Sequence, residues 1–566
     1  SYVRALRWAS DRINGRGIVG FVTNGSFIDG NAMDGLRACL TNEFSGIYVF
    51  NLRGNARTSG EQRRMEKGNV FGAGTRTPVA ISLFIKNPDK RGKCELHYSD
   101  IGDYLDQQEK LAIIKNFQSL NGLHQEKKWK GIQPNDSHDW INQRDPSFGV
   151  FASFGDKDES ELLVFEDYSS GVKTNRDPWC YNFSCAAVSE NMKRMIAFYN
   201  GQVEAFTKVS AGKMKADLPA IVESFVDTDA KKISWTREIK QDLSRLKRGA
   251  FREPSLRLSV YRPFTKQHMY FDTQFNNCVY QLPRIFPRGN MTNSVIVVSG
   301  IGAAKEFSAL MADCIPNLHM HDTGQCFPLY LYEKDEPQEG ELISHAQEGE
   351  LLDGYRRRSA ITDAILADFR SAYEAKVTKD DIFYYVYGVL HSPEYRARFA
   401  SDLKKMLPRL PFTRETADFW RFSQAGRDLA QWHLHYETIE PWPVKEFASE
   451  LLSDPAKDFL VQKMTFGRKD RQVDKTTIHY NGRITLTAIP LEAYDYVVNG
   501  KPAIEWIMER YQITVDKDSG IRNDPNDWAR EHNQPRYILD LLKRIVRVSL
   551  ETMKIVNALP ALNERK

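Results

Sequence analysis

Several classes of protein are excluded by what this 566-residue sequence lacks. No apolar run approaches the roughly 18 residues that cross a bilayer, and the first residues lack the pattern of a signal peptide. The seven cysteines include no Cys-x-x-Cys pair, so a disulfide framework is not expected. Cys314, His319, His321 and Cys326 are the right residue types for zinc, but their spacing is not that of a zinc finger. We expect a cytoplasmic protein with no membrane partner and no bound metal.

The common nucleotide-binding loops are also missing from the sequence. There is no Gly-x-x-x-x-Gly-Lys-Ser/Thr loop, and no Gly-x-Gly-x-x-Gly precedes a helix. The nearest imitation is Gly300-Ile301-Gly302 with Lys305, which lacks both the spacing and the hydroxyl. We interpret that segment as a glycine turn.

What is present is the composition of a large folded protein. Hydrophobic residues make up 41% and charged residues 27% of the chain, values that argue against disorder. The length suits two to four compact units (about 100 to 200 residues each). Because the net charge is only +4, a case for nucleic-acid binding must come from local clusters of charge.

The first 90 residues alternate between helical and strand-like patterns. Helical spacing over Tyr2 to Ile13 and Met33 to Leu40 is interleaved with apolar runs at Ile18–Val22, Ile47–Leu52 and Val79–Ile85. This order predicts an α/β fold, the closing half of a Rossmann-like sheet with an antiparallel hairpin at its edge. Such a sheet needs parallel strands that no upstream residue supplies, so we expect the chain to be truncated at its start.

Four segments of this region resemble, in order, the later motifs of adenine-specific DNA methyltransferases. They are Gly17–Phe27, Ile47–Asn55, Asn69–Phe71 and Thr77–Ile85. The resemblance implies that Phe71 stacks on the adenine rotated out of the duplex and that Asn24 lies at the edge of the target pocket. An aromatic face suits this role because it offsets the stacking lost on base flipping. The alternative is that Phe71 is an ordinary hydrophobic plug.

Two diagnostic elements of that family are absent, namely the glycine loop for S-adenosylmethionine and the Asn/Asp-Pro-Pro-Tyr/Phe tetrapeptide. The first helix resembles the one that follows the tetrapeptide in large single-chain restriction-modification enzymes of the Type ISP and Type IIG kind. Those enzymes join a nuclease and an ATP-driven translocase to the methyltransferase. The resemblance implies S-adenosylmethionine as cofactor of a parent enzyme, whose N-terminal methyltransferase half, nuclease and translocase are this chain's partners. Alone, the chain is expected to be inactive in methylation.

The remainder of the chain resembles the same enzymes through short sequence words. These words are Gly171–Asp177 (GVKTNRD), Tyr261–Phe264, Gln325–Tyr330, Phe383–Tyr395 and Asn523–Trp528. They imply a target recognition domain with an α+β, largely helical fold. We place the methyltransferase part and a polar connector (about Gly92 to Phe165) in residues 1–165, the DNA-binding part of the recognition domain in 166–345, and a mainly helical part in 346–566.

Local charge points independently to DNA. Residues 231–266, the basic segment, hold eleven Lys and Arg against three acids, a local charge of +8. Lys and Arg supply most contacts to phosphates, although a solvated basic helix has the same composition. With the GVKTNRD word, the predicted contacts to double-stranded DNA are Lys173, Arg176, Arg237, Lys240, Arg245, Lys247, Arg248, Arg252, Arg257, Arg262 and Lys266.

Two later segments are ambiguous. A basic run from Lys463 to Lys475 leads into a predicted hairpin, Thr476 to Ala488, with a type I′ turn at Asn481-Gly482, and it suits either DNA or plain surface. The aromatic residues of a predicted helix over Asp380–Leu407 lie largely on one face, which is typical of a core stripe.

We therefore expect DNA sequence recognition combined with part of an adenine-specific methyltransferase. The alternative is a specificity subunit that has no catalysis of its own. A nuclease is disfavoured, because the acid-x-Lys pairs Asp402–Lys404 and Glu374–Lys376 lie on predicted helices rather than strands.

Overall fold

The computed structural model describes residues 2–58, 60–72, 74–155, 162–335, 349–449 and 452–565. The backbone forms two compact, mixed α and β units. The first consists of Ser1–Val150, Ile301–Glu306 and Ala397–Pro408, and the second of Phe151–Gly300, Phe307–Arg396 and Arg409–Lys566. Within these described ranges, no helix is long and apolar enough to cross a membrane. The domain boundaries at residues 165 and 345 stay predictions.

A five-stranded sheet organises the first unit, in the order β1-β3-β2-β4-β5. β3 pairs antiparallel with β1 and β2, and β2 pairs parallel with β4. β3 therefore lies inside the sheet, and the prediction of a hairpin at its edge is wrong. The elements are α1 (Tyr2–Ser10), β1 (Gly17–Asn24), α2 (Asp34–Glu43), β2 (Gly46–Arg53), α3 (Gly60–Glu66), β3 (Val79–Lys86), β4 (Glu95–Asp100), α4 (Gln107–Phe117), α5 (Leu120–Gln125) and β5 (Lys130–Ile132).

The core of this unit extends beyond the three predicted strands. Ile47, Val49 and Phe84 are buried between the sheet and its helices. The polar region predicted as a connector supplies β4 and β5, whose backbone hydrogen bonds extend the sheet. Its polar residues are also used in the core, since the buried Arg37 Nη2 lies 3.3 Å from an Asp139 carboxylate oxygen. The region predicted as a connector with short helices contains the short helices α4 and α5, but it also supplies two strands and part of the core.

The second unit contains several small sheets rather than one large one. The larger ones have the strand orders β13-β9-β10-β8, β12-β11-β14-β7, β15-β17-β16 and β19-β22-β21-β20, and three more have two strands each, β18-β6, β23-β24 and β25-β26. The strands are β6 (Ala152–Ser153), β7 (Ser169–Ser170), β8 (Tyr181–Asn182), β9 (Leu256–Arg262), β10 (Thr265–Tyr270), β11 (Val295–Val298), β12 (Ala309–Ala312), β13 (Ile315–Pro316), β14 (Gln325–Pro328), β15 (Tyr330–Lys334), β16 (Glu350–Leu352), β17 (Tyr355–Ser359), β18 (Arg409–Leu410), β19 (Lys445–Ala448), β20 (Thr465–Lys469), β21 (Gln472–His479), β22 (Ile484–Thr487), β23 (Val497–Val498), β24 (Lys501–Pro502), β25 (Thr514–Val515) and β26 (Arg522–Asn523).

Helices pack around these sheets, except that α14 belongs to the first unit. They are α6 (Asp177–Cys180), α7 (Cys185–Ser210), α8 (Leu218–Phe225), α9 (Arg237–Ser244), α10 (Leu282–Ile285), α11 (Asp363–Ala372), α12 (Lys379–Leu390), α13 (Pro393–Arg398), α14 (Ala400–Lys405), α15 (Thr416–Leu434), α16 (Pro455–Asp458), α17 (Ala503–Arg510), α18 (Pro525–Glu531) and α19 (Tyr537–Asn557).

The aromatic stripe predicted over residues 380–407 is core, but its helix is not continuous. Phe383, Tyr387 and Tyr395 are fully buried, which confirms the prediction of a core face. The helix breaks before Pro393, because a proline disfavours helical backbone in the residue that precedes it. α12 approaches α15 closely through glycine: a Cβ added at Gly426 would overlap the carbonyl oxygen of Tyr384.

The hairpin predicted around Asn481-Gly482 differs in the structure. His479 pairs with Thr485, so the connection is longer than two residues, and neither Asn481 nor Gly482 has the positive φ of a type I′ turn. Instead the Asn481 side chain accepts hydrogen bonds from the backbone of Arg483 and Ile484, at 2.9 and 2.8 Å. A two-residue turn lies earlier, between β20 and β21, inside the basic run itself.

Candidate nucleic-acid interface

In the first unit, the loop that carries Phe71 lies where the predicted target pocket would be. Asn24 at the end of β1 and Arg53 at the end of β2 both pair with Val79, the first residue of β3. The described residues 67–72 and 74–78, the Phe71 loop, precede β3 and lie at the carboxyl ends of β1 and β2. In open α/β sheets this is the edge at which ligands bind.

Side-chain hydrogen bonds hold the Phe71 loop in place. Asn69 Nδ2 donates to the carbonyl oxygens of Gly54 and Thr77, at 3.0 and 2.9 Å, and its Oδ1 accepts from Phe71 N at 3.0 Å. The Phe71 side chain is 62% exposed, whereas the neighbouring Val70 is 8% exposed. Val70 is therefore the hydrophobic plug, and the loop presents the Phe71 ring to solvent.

Asn24 has a local structural role at this edge. Its side chain accepts a hydrogen bond from Ser26 N at 2.9 Å and caps the short 3₁₀ helix Gly25–Ile28. Two basic residues that the sequence reasoning missed flank the loop. Arg57 and Arg76 are exposed, and Ala56 N donates to Arg76 O at 3.0 Å, which brings their segments together. The sequence signal that could have identified them is the presence of basic residues on both sides of the motif that contains Phe71.

In the second unit, the GVKTNRD loop (Gly171–Asp177) packs closely against the backbone at Asn317. A Cβ at Gly171 would lie 2.7 Å from the carbonyl carbon and oxygen of Asn317, so only glycine fits there. Thr174 Oγ1 donates to Asp177 and accepts from Arg176 N at 3.1 Å. Lys173 is partly exposed, and its backbone N–H and C=O both pair with Cys278 at 2.9 Å.

Arg176 is not positioned to contact DNA. Its side chain is buried, and the guanidinium donates to Phe275 O at 2.8 Å and to Thr236 Oγ1 at 3.0 Å. Thr236 caps the N-terminus of α9, near the start of the basic segment. Arg176 therefore joins the GVKTNRD loop to α9, and its assignment as a phosphate contact is withdrawn.

Three further predicted contacts are buried or half-buried in the second unit. Arg257 donates to the carbonyl oxygen of Arg288 at 2.7 Å. Lys266 is buried 2.9 Å from Glu437, and although burial lowers the pKa of Lys266, the Glu437 carboxylate raises it above its ordinary value. Arg262 is half-buried and stacks on Tyr261, with 4.0 Å between the guanidinium carbon and the ring centre. Lys266 therefore stabilises the fold and is not available to phosphates, whereas Arg257 and Arg262 are half-buried and only partly accessible.

The exposed part of the basic segment divides into paired and unpaired cations. Four form ion pairs with acids, namely Lys232 with Asp227, the partly exposed Lys240 with Glu223, Lys247 with Asp242, and Arg248 with Glu204. Exposed pairs of this kind are weak, so a phosphate can replace the carboxylate. Arg237, Arg245 and Arg252 are exposed, and none of the described residues forms an ion pair with them. These three arginines are the best placed for direct contacts to a phosphate backbone.

A polar cleft of about 500 Å³ lies next to the GVKTNRD loop. Asp177 and Tyr261 line it, with a hydrogen bond of 3.1 Å from Tyr261 OH to Asp177 Oδ2. Asn523 also lines it and accepts from Phe183 N at 3.0 Å. Three of the recognised sequence words, far apart in the chain, therefore converge on one cleft.

Comparisons with known proteins identify the family of the chain. Residues 163–541 match the family model of the Type ISP C-terminal specificity domain. No curated protein matches the chain. A solved structure of a nuclease-deletion mutant of the Type ISP restriction-modification enzyme LlaGI, in complex with a DNA substrate mimic, is 37% identical with a TM-score of 0.85. It is matched over 100% of this chain and 48% of its own.

Two further solved structures are similar over the whole chain. The ATP-dependent Type ISP enzyme LlaBIII bound to DNA is 36% identical with a TM-score of 0.83, and the DrdV–DNA complex is 32% identical with a TM-score of 0.80. This chain covers 34% of the LlaBIII chain and 52% of the DrdV chain, so it spans about half the length of these proteins or less. The predicted resemblance to Type ISP enzymes is confirmed, and the chain belongs to the family of Type ISP C-terminal specificity domains.

Proposed function

We propose that this chain recognises a DNA sequence on behalf of a restriction-modification enzyme. The observation that carries the proposal is the family match over residues 163–541, with 36% and 37% identity to Type ISP enzymes solved with DNA or a DNA mimic. Arg237, Arg245 and Arg252 are exposed around α9, and Lys173 lies in the GVKTNRD loop that Arg176 ties to that helix. The second unit binds the duplex through this surface.

We further propose that the first unit is the closing part of a Rossmann-like, adenine-specific methyltransferase sheet in a longer enzyme. Two observations support this. The exposed Phe71 ring stands at the carboxyl ends of β1 and β2, where it can stack on an extruded adenine. Ile18 and Val22 on β1 are 67% and 55% exposed, and within the described chain β1 pairs on one side only. Further strands of the parent enzyme would pair with the free edge of β1, and the elements that pack on the extended sheet would cover this apolar face.

S-adenosylmethionine is proposed as the cofactor of the parent enzyme, but the described residues do not fit it by themselves. At the end of β1, Gly25 N–H donates to Pro78 O at 2.9 Å and Asn24 binds Ser26 N, so these polar groups are already used within the fold. The residues of this chain act on the DNA: Phe71 stacks on the base, and the basic surface holds the phosphates.

Selection from a pool of randomised 30-base-pair duplexes, with poly(dI-dC) as competitor, tests the recognition proposal. Enrichment of one sequence motif is expected, and no enrichment would contradict recognition. Replacing each adenine of the enriched motif in turn with the fluorescent base 2-aminopurine then tests stacking. We expect one position whose emission differs between the wild type and Phe71→Ala at equal occupancy. If the chain binds a specific sequence but no 2-aminopurine position responds to Phe71→Ala, the recognition proposal stands and base stacking by Phe71 is refuted.

A further inference from the structure

Residues 463–475 fold into a narrow β-ribbon with a tight turn. Lys469 at the end of β20 pairs with Gln472 at the start of β21. The two residues between them, Asp470 and Arg471, have φ values of +51° and +67°. Positive φ at both positions is the signature of a type I′ turn, the geometry that best matches the twist of a two-stranded ribbon. The hairpin tip, Arg468–Val473, is therefore a defined structure.

The base of the ribbon is fixed to the second unit. The Asp474 carboxylate accepts from Thr476 N at 2.9 Å and from Thr477 Oγ1 at 2.9 Å, which holds a bulge in β21. Lys475 Nζ lies 2.8 Å from Glu505 of α17, and Tyr494 OH donates to Lys475 O at 2.7 Å. The tip therefore projects from a rigid anchor.

The tip itself makes few contacts and is unusually charged. Arg468, Lys469 and Arg471 are exposed, and none of the described residues forms an ion pair with them. Asp470 is the single acid of the tip, so its net charge is three minus one, or +2. Val473 beside them is 61% exposed. Unpaired cations and an exposed valine on a rigid ribbon suit a partner that has anionic groups at the lip of a groove and apolar groups within it.

We propose that the hairpin tip enters the major groove of double-stranded DNA and reads base edges there. The major groove admits a two-stranded β-ribbon, and its lip carries phosphates for the cations. Gln472 offers an amide that can bind adenine bidentately, and Val473 offers a methyl surface for thymine. This inference rests on the proposed DNA recognition, and it assigns part of that recognition to the tip.

Duplex selection on variants of the full chain tests the proposal. The selection is repeated with each variant and compared with the duplex that the wild type enriches. Gln472→Ala and Val473→Asp should change the preferred base at one to three positions of that duplex. Arg471→Ala should weaken binding to that duplex on the order of tenfold. The matched control is Lys445→Ala, which removes one exposed cation from β19 of the same sheet and should leave binding unchanged. Unchanged melting temperatures show that the variants are folded.

The outcomes separate the two proposals. If the wild type enriches no sequence, the proposed DNA recognition itself fails. If the wild type selects a sequence and all three tip variants select the same one with wild-type affinity, recognition stands and the role of the tip is refuted. Equal weakening on the selected duplex and on poly(dI-dC), with unchanged preference, would place the tip on phosphates and overturn groove entry. Protection of guanine N7 from methylation by the wild type, lost in Val473→Asp, supports the major groove over the minor groove.

Discussion

Replacing Arg237, Arg245 and Arg252 with alanine should flatten the salt dependence of DNA binding. Each phosphate contact contributes about 0.9 to the slope of log K against log salt, so three contacts contribute about 2.7. Between 50 and 200 mM salt, a fourfold change, one contact alters affinity by about 3.5-fold and three alter it by about 40-fold. The triple variant should therefore lose most affinity at low salt and differ little from the wild type at high salt.

Fluorescence anisotropy of a labelled 30-base-pair duplex, titrated at four or more salt concentrations, measures this slope. The loss should be the same for a selected duplex and a random one, because phosphates carry no sequence information. The matched control removes three exposed cations from the first unit, Arg4, Lys93 and Lys128. That control has the same net charge as the triple variant, so it separates direct contacts from the general effect of charge.

An unchanged slope in the triple variant would refute the assignment and identify the basic segment as a solvated face. A slope that falls equally in the control would refute it as well, since charge alone would then explain the change. Loss of discrimination with unchanged binding to the random duplex would place the three arginines at base edges instead.

Three further predictions follow from burial and packing. Phe71→Ala should leave the free energy of unfolding, measured in urea, nearly unchanged. Phe84→Ala, which empties a fully buried site, should lower it by about 3 to 5 kcal/mol. Equal losses would mean that Phe71 is a core residue. Gly426→Ala should destabilise by at least about 1 to 3 kcal/mol because its methyl has no space, while Gly482→Ala, with open space around it, is the control. Burial lowers the pKa of His433 to about 3 and the pKa of His391 well below its ordinary value. The unfolded state therefore binds these protons first, and stability should fall as pH drops from about 6.5 towards 3, with His433 contributing about 1.4 kcal/mol per pH unit. A stability that is flat from pH 7 to 5 would contradict this.

Much of the first unit could be predicted from sequence because its elements are local patterns. The apolar run Val79–Ile85 corresponds to β3, and the helical spacing from Tyr2 corresponds to α1. Strand order was mispredicted, because the pairing of β3 with both β1 and β2 depends on which distant segments meet, and periodicity carries no information about that. The type I′ turn was assigned to the wrong residues for a related reason. Asn481-Gly482 has the favoured composition, but its asparagine side chain is used to hold a longer loop.

The candidate site was predicted only in outline, since a count of charges along the chain ignores acids that arrive from elsewhere. Glu204 comes from α7 and Glu223 from α8, and they pair with Arg248 and Lys240. The local charge of +8 therefore overstates the charge that a duplex would meet. The GVKTNRD word located an important loop, but it did not show that Arg176 points inward to Thr236.

The contrast between paired and unpaired cations also indicates different roles for the two proposed DNA surfaces, the one around α9 and the hairpin tip. Around α9, paired cations such as Lys247 alternate with unpaired ones such as Arg245, and all of them lie on a helix and its flanking loops. Such a surface suits a phosphate backbone, where many interchangeable contacts set position and affinity. The hairpin tip has few cations, a rigid base and an exposed Val473, which suits oriented contacts inside a groove. If this division holds, changes around α9 should scale the binding of every duplex alike, and changes at the tip should alter which duplex is preferred.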